Sequence, residues 1–314
     1  QTFTFYSRPT GKGYNGGIKN FHWKGGKIVR TDKKDNGSKP LIYTLFSLVH
    51  AQNISFENTV YDGIQNVSGH NYDIIGCKNV VIKNNKYYGY GFTKNVKPDI
   101  GNNSGQHPFY SEIIELDFPY KPGKVGDFSA FGLEVWNLFT AKQKSYSDDI
   151  PSRNISVLNN TIAPKKEKGK AISYSQNLIG SHVKRNNMKN SQKTGDILIK
   201  GNTIENPCPV RPLTFKQKGK KVTTSVEWNG IMHFTELDRC VIENNTIKIN
   251  EKGIAKRTSL FSFGEYNSDA SKIQGVIVKN NKISGAKGKY SQKILWGGSG
   301  KQVIELESKV TGWK

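Results

Sequence analysis

Cysteine is nearly absent from these 314 residues. There are three, Cys77, Cys208 and Cys240, an odd number with no close pair. That excludes a paired-disulfide framework and any zinc-ligand spacing. Cys77 in Ile-Ile-Gly-Cys and Cys240 before Val-Ile read as small buried side chains. Long apolar runs are missing too. The longest, Leu41 to Val49, is interrupted by Thr44 and Ser47, so no membrane insertion is expected. Gln1-Thr2-Phe3-Thr4 has neither the charge nor the apolar run of a signal peptide. No segment sustains a helical period in good helix formers, which excludes helical repeats. There is no phosphate loop, dinucleotide fingerprint or Gly-x-Ser-x-Gly elbow. Gly11-Lys-Gly-Tyr-Asn-Gly-Gly is glycine-rich but follows no βα pattern and reads as a loop.

Acidic residues are scarce. Twenty-five stand against 47 basic ones, giving a net charge of +22 and a pI near 9.7. Such a field favours anionic partners. Only seven of the 47 are arginine, and the lysines are scattered through every segment. Lysine is a point charge rather than a bidentate base reader, which argues against nucleic acid. A surface that keeps the protein soluble or near an anionic cell-wall polymer fits better, followed by a specific acidic ligand. Hydrophobic residues make up 35%, yet 15 Phe, 14 Tyr and 5 Trp supply enough apolar surface to bury a core.

What is present is a repeat. A polar residue, three mainly apolar positions, a spacer and a pair of Asn or Gly recur together. The phrase reads Asn53-Ile-Ser-Phe-Glu-Asn-Thr, Asn79-Val-Val-Ile-Lys-Asn-Asn and Asn154-Ile-Ser-Val-Leu-Asn-Asn. It returns as Asp196-Ile-Leu-Ile-Lys-Gly-Asn, Arg239-Cys-Val-Ile-Glu-Asn-Asn and Gly275-Val-Ile-Val-Lys-Asn-Asn, with a degenerate first copy at Asn20-Phe-His-Trp-Lys-Gly-Gly. A β-branched strand of this length alternates inside and outside. It ends on residues that readily take the left-handed corner conformation. One unit cannot bury its apolar face alone; stacked copies can, with corner Asn side chains bonding up the stack. Leucine-rich repeats are excluded because the fixed leucines are missing.

A second strand precedes several copies: Leu45-Phe-Ser-Leu-Val, His70-Asn-Tyr-Asp-Ile-Ile, Gly230-Ile-Met-His-Phe-Thr and Leu260-Phe-Ser-Phe-Gly. The expectation is all-β: one parallel β-helix domain over residues 1–314, a solenoid with coils from about 20 to 310. Inward positions should be Ile54, Phe56, Val80, Ile82, Ile155, Val157, Ile197, Ile199, Ile242, Val276 and Val278. Irregular spacing puts insertions 87–110 and 118–152 outside, as long loops on one face that would wall a binding site.

The segments Trp23-Lys-Gly-Gly, His50-Ala-Gln-Asn-Ile-Ser-Phe, Gly69-His-Asn-Tyr-Asp-Ile-Ile-Gly-Cys-Lys-Asn-Val, Ser111-Glu-Ile-Ile-Glu-Leu-Asp, Asp149-Ile-Pro-Ser-Arg-Asn-Ile and Ile179-Gly-Ser-His carry a resemblance. The chain resembles the right-handed parallel β-helix proteins of the pectate-lyase and polygalacturonase superfamily, nearest a bacterial and phage branch of unassigned substrate. The resemblance implies a protein that cleaves, epimerises or binds polysaccharides.

Candidate chemistry lies on the strand holding Glu112, Glu115 and Asp117, three acids within six residues. Glu115 and Asp117 share a face, while Glu112 points the other way unless it lies in the turn before the strand. Paired carboxylates suit the acid and base of glycoside hydrolysis. The pattern resembles the carboxylate strand of polygalacturonases, with Glu where that family has Asp at the first two positions. Alignment of the first strands puts His70 opposite Glu112 and Asp73 opposite Glu115. It puts His182 beside Asp117, and His233 in the Glu115 column some coils on. The expected catalytic set is therefore Glu112, Glu115, Asp117, His70 and His182, in a surface groove. Asp73 and His233 would bind substrate, with Tyr90, Tyr110, Tyr120, Trp136 and Trp228 as stacking surfaces for sugar rings. His22, His50 and His107 read as structural or peripheral.

No metal site and no cofactor are expected. Calcium, as in pectate lyases, has Asp148-Asp149 and Glu115-Asp117 as its only plausible oxygen sources. Low cysteine with abundant Lys and Asn fits a secreted or cell-surface protein of a Gram-positive bacterium. Two functions stay open: a polysaccharide depolymerase, hydrolase or lyase, and a non-catalytic glycan-binding adhesin module.

Overall fold

The structure, a computed structural model, describes residues 5–29, 44–63, 70–89, 112–117, 139–173, 175, 177–181, 192–207, 214–217, 220–223, 230–249, 259–264, 273–285, 293–296 and 303–311. Three long sheets run the length of the chain, every pairing within them parallel. Sheet 1 orders Phe5–Ser7, Thr44–Val49, His70–Ile75, Glu112–Asp117, Asn177–Gly180, Met232–Phe234, Ser259–Phe263 and Lys293–Trp296. Sheet 2 orders Lys19–Lys24, Gln52–Glu57, Lys78–Lys83, Arg153–Leu158, Gly195–Lys200, Leu237–Glu243, Ile273–Lys279 and Val303–Leu306. Sheet 3 orders Lys27–Val29, Val60–Asp62, Lys86–Tyr88, Thr161–Ala163, Thr203–Glu205, Thr246–Ile249, Lys282–Gly285 and Lys309–Thr311. Each coil takes one strand from each sheet, so the fold is a parallel β-helix. Among the described residues no helix is long and apolar enough to cross a membrane.

The repeat phrase forms sheet 2 and its two corners. All eleven inward positions expected from the sequence are buried. The first residue of each phrase takes positive φ: Asn20, Asn53, Asn79, Asn154, Asp196, Arg239 and Gly275 form a left-handed column. On the surface its asparagines bond in series, Asn53 Nδ2 to Asn20 Oδ1 at 3.1 Å, Asn79 to Asn53 at 2.8 Å and Asn154 to Asn79 at 2.7 Å.

The closing pair of the phrase splits its labour. Its first member bends the chain with positive φ at Asn58, Asn84, Asn159, Gly201, Asn244 and Asn280. The next position points inward as a buried ladder, Asn85, Asn160, Asn202, Asn245 and Asn281. The Nδ2 groups of Asn85, Asn160, Asn202 and Asn245 each donate to the next Oδ1 at 3.0–3.2 Å, and all five rungs donate to a backbone carbonyl of the preceding coil. Thr59 starts this column through its backbone N–H on Asn85, and Ser308 ends it beneath Asn281. A buried amide would otherwise leave several polar groups unpaired, at about 1–3 kcal/mol each. Repetition satisfies them.

A third strand follows each corner, in sheet 3. Its signal was in the sequence as Asn-Asn or Gly-Asn followed by Thr-Ile, Lys-Tyr or Lys-Ile, with the middle residue buried at Tyr87, Ile162, Ile204, Ile247 and Ile283.

Sheet 1 differs from sheet 2. In sheet 2, buried and solvated positions alternate, as in Arg153–Leu158. In sheet 1 both faces are buried along Thr44–Val49, Asn177–Gly180 and Met232–Phe234. The inward column Phe46, Tyr72, Ile114, Ile179, Met232 and Phe261 joins the core. Outward Val49 and Ile75 are fully buried as well. A sheet with apolar residues on both faces is stable only when both are covered.

Candidate functional site

The outward face of sheet 1 carries the register Ser47, Asp73, Glu115, Gly180, His233 and Ser262, one residue per coil. Asp73 therefore lies beside Glu115, as the sequence alignment expected, and Asp117 projects from the same strand face. One carboxylate oxygen from each of Asp73, Glu115 and Asp117 lies within 4.8 Å of the others. Neighbouring strands stand about 4.8 Å apart, so acids in register must meet.

His70 and His233 hold the rest of the cluster. His70 Nε2 is 2.7 Å from Glu115 Oε2. Its Nδ1 lies 3.1 Å from the Glu112 carbonyl oxygen and 3.2 Å from Glu112 Oε2, with the N–H aligned on the carbonyl. His233 Nε2 is 2.7 Å from Glu112 Oε1, and its Nδ1 is 2.9 Å from the Gly230 carbonyl. A carbonyl can only accept, so His233 Nδ1 bears a hydrogen. The series Glu115, His70, Glu112, His233 thus joins three strands of sheet 1.

Glu112 is a correction to strict alternation. It opens its strand at the parity of inward Ile114, as His70 does at the parity of inward Tyr72, yet its carboxylate meets His233 of the outward column and His70 reaches Glu115. The start of the strand has not settled into the pleat. Exposure is the second correction. Glu112 is 0% exposed, His233 2%, and Asp73 and Asp117 5% each. Only the His70 and Glu115 side chains keep more, at 11% and 15%. The Glu112, Asp73 and Asp117 carboxylates are therefore buried rather than ranged along an open groove.

Electrostatics separate the acids by environment. Burial pushes the Asp73 carboxyl well above its ordinary range, and the charge of Glu115 pushes it further against the pull of His70 and Ser47. Asp117 is raised in the same way, by burial first and then by Glu115 and Asp73. Three carboxylates this close cannot all ionise. For His70, burial works against the imidazolium, but Glu115 and Glu112 outweigh it and its pKa stands well above the usual histidine value. Burial and repulsion thus favour the neutral form of Asp73 and Asp117, while two neighbouring carboxylates favour the charged form of His70, an arrangement suited to moving protons. No lysine or arginine pairs with Asp73, Glu115 or Asp117 among the described residues.

The same three acids are the described residues that could take a cation. Asp73 Oδ1 and Asp117 Oδ1 are buried without a hydrogen-bond partner. They are hard oxygens, but three donors are half or fewer of the six to eight that calcium takes. The other oxygen source considered, Asp148, is engaged elsewhere. Its Oδ1 is 2.9 Å from His50 Nε2 and its Oδ2 accepts the Gly13 N–H at 2.9 Å, pinning the glycine-rich loop to the helix.

His182, Tyr90, Tyr110, Tyr120, Trp136 and Trp228 lie outside the described residues, as do most of the two insertions. His50 is structural, as expected, and Cys77 and Cys240 are buried free thiols. What sequence reasoning missed is Gly180. A Cβ there would lie only 2.2 Å from His233 Nε2 and clash with the ring. Glycine at that register position is what lets a histidine reach over its neighbouring strand to Glu112.

No family model matches this sequence, and no curated protein matches it. Two solved structures are similar to this chain at low identity. One is the crystal structure of PfbA, a surface adhesin of Streptococcus pneumoniae, with TM-score 0.46 and 17% identity over 94% of this chain and 69% of that one. The other, of the Streptococcus pneumoniae surface protein and adhesin PfbA, gives TM-score 0.43 and 15% identity over 93% of this chain and 74% of that one.

Proposed function

We propose that this protein engages a polysaccharide at a bacterial surface or in secretion, and that the outward face of sheet 1 performs acid–base chemistry on it. The observation that carries this reading is the meeting of Asp73, Glu115 and Asp117 oxygens within 4.8 Å, with His70 on Glu115. Glu115, the most exposed of the acids, would take a proton from the attacking water or from an acidic sugar carbon. His70 would hold the Glu115 carboxylate in place and take part in its proton transfer. Asp73 and Asp117, kept neutral by burial and mutual repulsion, would serve as donors. Neither hydrolysis nor elimination in this form requires a cofactor. Calcium would find only three of its six to eight oxygens on these acids, and its addition to the assay tests whether the reaction uses it.

The experiment is a screen of polysaccharides for new reducing ends or unsaturated products, with Glu115→Gln beside the wild type. Loss of turnover by roughly two to four orders of magnitude, with folding intact, supports the reading. Absence of any cleavage across neutral and acidic polymers overturns it.

A second reading, a non-catalytic glycan-binding adhesin module, is favoured by the near-complete burial of Glu112, Asp73, Asp117 and His233. A binder needs no access to these acids. Glycan capture without product would support it, and the same screen reports both.

A further inference from the structure

The surface asparagine ladder at the start of sheet 2 stops after Asn154. The next two positions of that column are Asp196 and Arg239, both still left-handed at φ 55 and 57. Asparagine is among the residues that accept this conformation most readily, whereas a long side chain there is uncommon. Asn-Asn bonding would also have continued up the column. The repeat abandons its own rule where a pocket of about 330 Å³ opens, lined by Arg153, Gln192, Lys193, Asp238, Arg239 and Gln274. Departures from local consistency concentrate at functional positions.

The charges are fixed in place. Arg153 Nε and Nη2 donate to Asp196 Oδ2 at 2.9 and 2.6 Å, and its Nη1 donates to the Lys193 carbonyl at 2.7 Å. Arg239 Nε donates to Asp196 Oδ1 at 2.6 Å, and its Nη1 lies 2.9 Å from Asp238 Oδ2. Gln274 Nε2 holds the other Asp238 oxygen at 3.0 Å. The two aspartates thus orient the guanidiniums, and three cations against two anions leave one positive charge in excess. Arg239 remains 62% exposed, and its Nη2 has no partner among the described residues. With Nε and Nη1 each held by an aspartate, the exposed Nη2 is left to meet one oxygen of an anion.

We propose that this pocket is a binding site for the carboxylate of an acidic sugar unit, with Arg239 as its principal contact. The site stands on sheet 2, apart from the carboxylate cluster, and does not depend on any reaction there. The two are neighbours along the chain all the same. The coil that carries His233 passes through Thr235 and Glu236 directly into Leu237–Glu243, the strand of Asp238 and Arg239. A polymer rounding the corner between sheets 1 and 2 would meet both.

The repeat supplies the test. Arg239→Asn restores the residue that the column uses elsewhere, and Asp196→Asn with Arg239→Asn allows the ladder to run on, so both variants keep the fold's own solution. Binding to oligogalacturonate, a sulfated glycan, a polyphosphate and neutral dextran is measured at fixed ionic strength, with Lys282→Asn as an exposed control of equal charge loss. The expected result is a loss of about tenfold or more in oligogalacturonate affinity for both column variants. The control should bind as the wild type does. Equal losses in Arg239→Asn and Lys282→Asn would reduce the effect to net charge and overturn the site. Tighter binding of the sulfated or phosphate polymer than of oligogalacturonate would overturn the carboxylate assignment. Unchanged binding in the double variant, with melting temperature preserved, would overturn the proposal outright.

Discussion

His233 reaches Glu112 across an intervening strand, Nε2 to Oε1 at 2.7 Å, and the residue it passes over is Gly180. With Nδ1 already committed to the Gly230 carbonyl, the contact between Nε2 and Oε1 holds one proton between the two groups. A glycine in one coil thereby fixes the position of an acid in the coil before it and a base in the coil after.

Gly180→Ala tests that dependence. The added methyl must displace the His233 ring, and overpacking of this kind costs about 1–3 kcal/mol. His233→Ala removes the obstacle. In a double-mutant cycle followed by urea denaturation, the alanine at 180 should therefore cost much less when His233 is absent. Equal costs in both backgrounds would show that Gly180 is needed for another reason.

The raised acids predict a pH dependence with a definite sign. Asp73 and Asp117 bind their protons more tightly folded than unfolded. Each therefore costs stability as pH rises from the ordinary carboxylate range, about 3.9, toward its raised folded value. Asp73→Asn and Asp117→Asn should raise the melting temperature near pH 7, and the gain should fade toward pH 4. His70 adds to the trend: its raised pKa gives stability that is full below about 6.5 and lost as pH climbs through the folded value. Calorimetry across that range, with a gain that grew on acidification, would refute the assignment.

The buried ladder predicts unequal penalties for neighbouring asparagines. Asn202→Ala leaves the Asn160 backbone N–H without its acceptor and removes the side-chain donor to the Val157 carbonyl, while the Asn245 oxygen keeps only the backbone N–H of residue 202. The expected loss is about 2–4 kcal/mol, from more than one unsatisfied buried group. Asn159→Gly, at the left-handed position where the next coil already has Gly201, should change stability by less than about 1 kcal/mol. Urea midpoints of the two variants decide it.

Charge predicts a separable behaviour. With a net charge of +22, the protein should be retained on anionic polymers in low salt and released as salt rises. The Debye length falls from about 10 Å at 0.1 M to about 3 Å at 1 M. Recognition of neutral sugar by stacking and hydrogen bonds should persist. Salt-independent retention on an anionic column would remove charge as the cause.

Much of this was legible in the residues, and the parts that were not share a cause. Ile54, Val80, Ile155, Ile197 and Val276 announced their inward direction because the period of two is local. Asp73 beside Glu115, and His233 further along that column, followed from aligning like strands. The side of Glu112 did not, because the first residue of a strand need not obey its pleat. The burial of the cluster did not either, since it depends on what covers the outward face of sheet 1. Gly180 was invisible for a third reason. Its role involves strands two coils apart, and no spacing within one repeat records it.

The buried asparagine column has a consequence for how this molecule could change length. Every rung from Asn85 to Asn281 offers the same donor upward and the same acceptor downward. A whole coil could be spliced out or in and the neighbouring rungs would close over the join, so length is counted in units of about 4.8 Å. Between Glu112 and His233 that freedom ends. Removing the coil of Gly180 would set His233 one strand nearer, against Glu115 instead of reaching past it, and the shared proton would lose its partner. The scaffold tolerates growth at its ends and is locked at its middle.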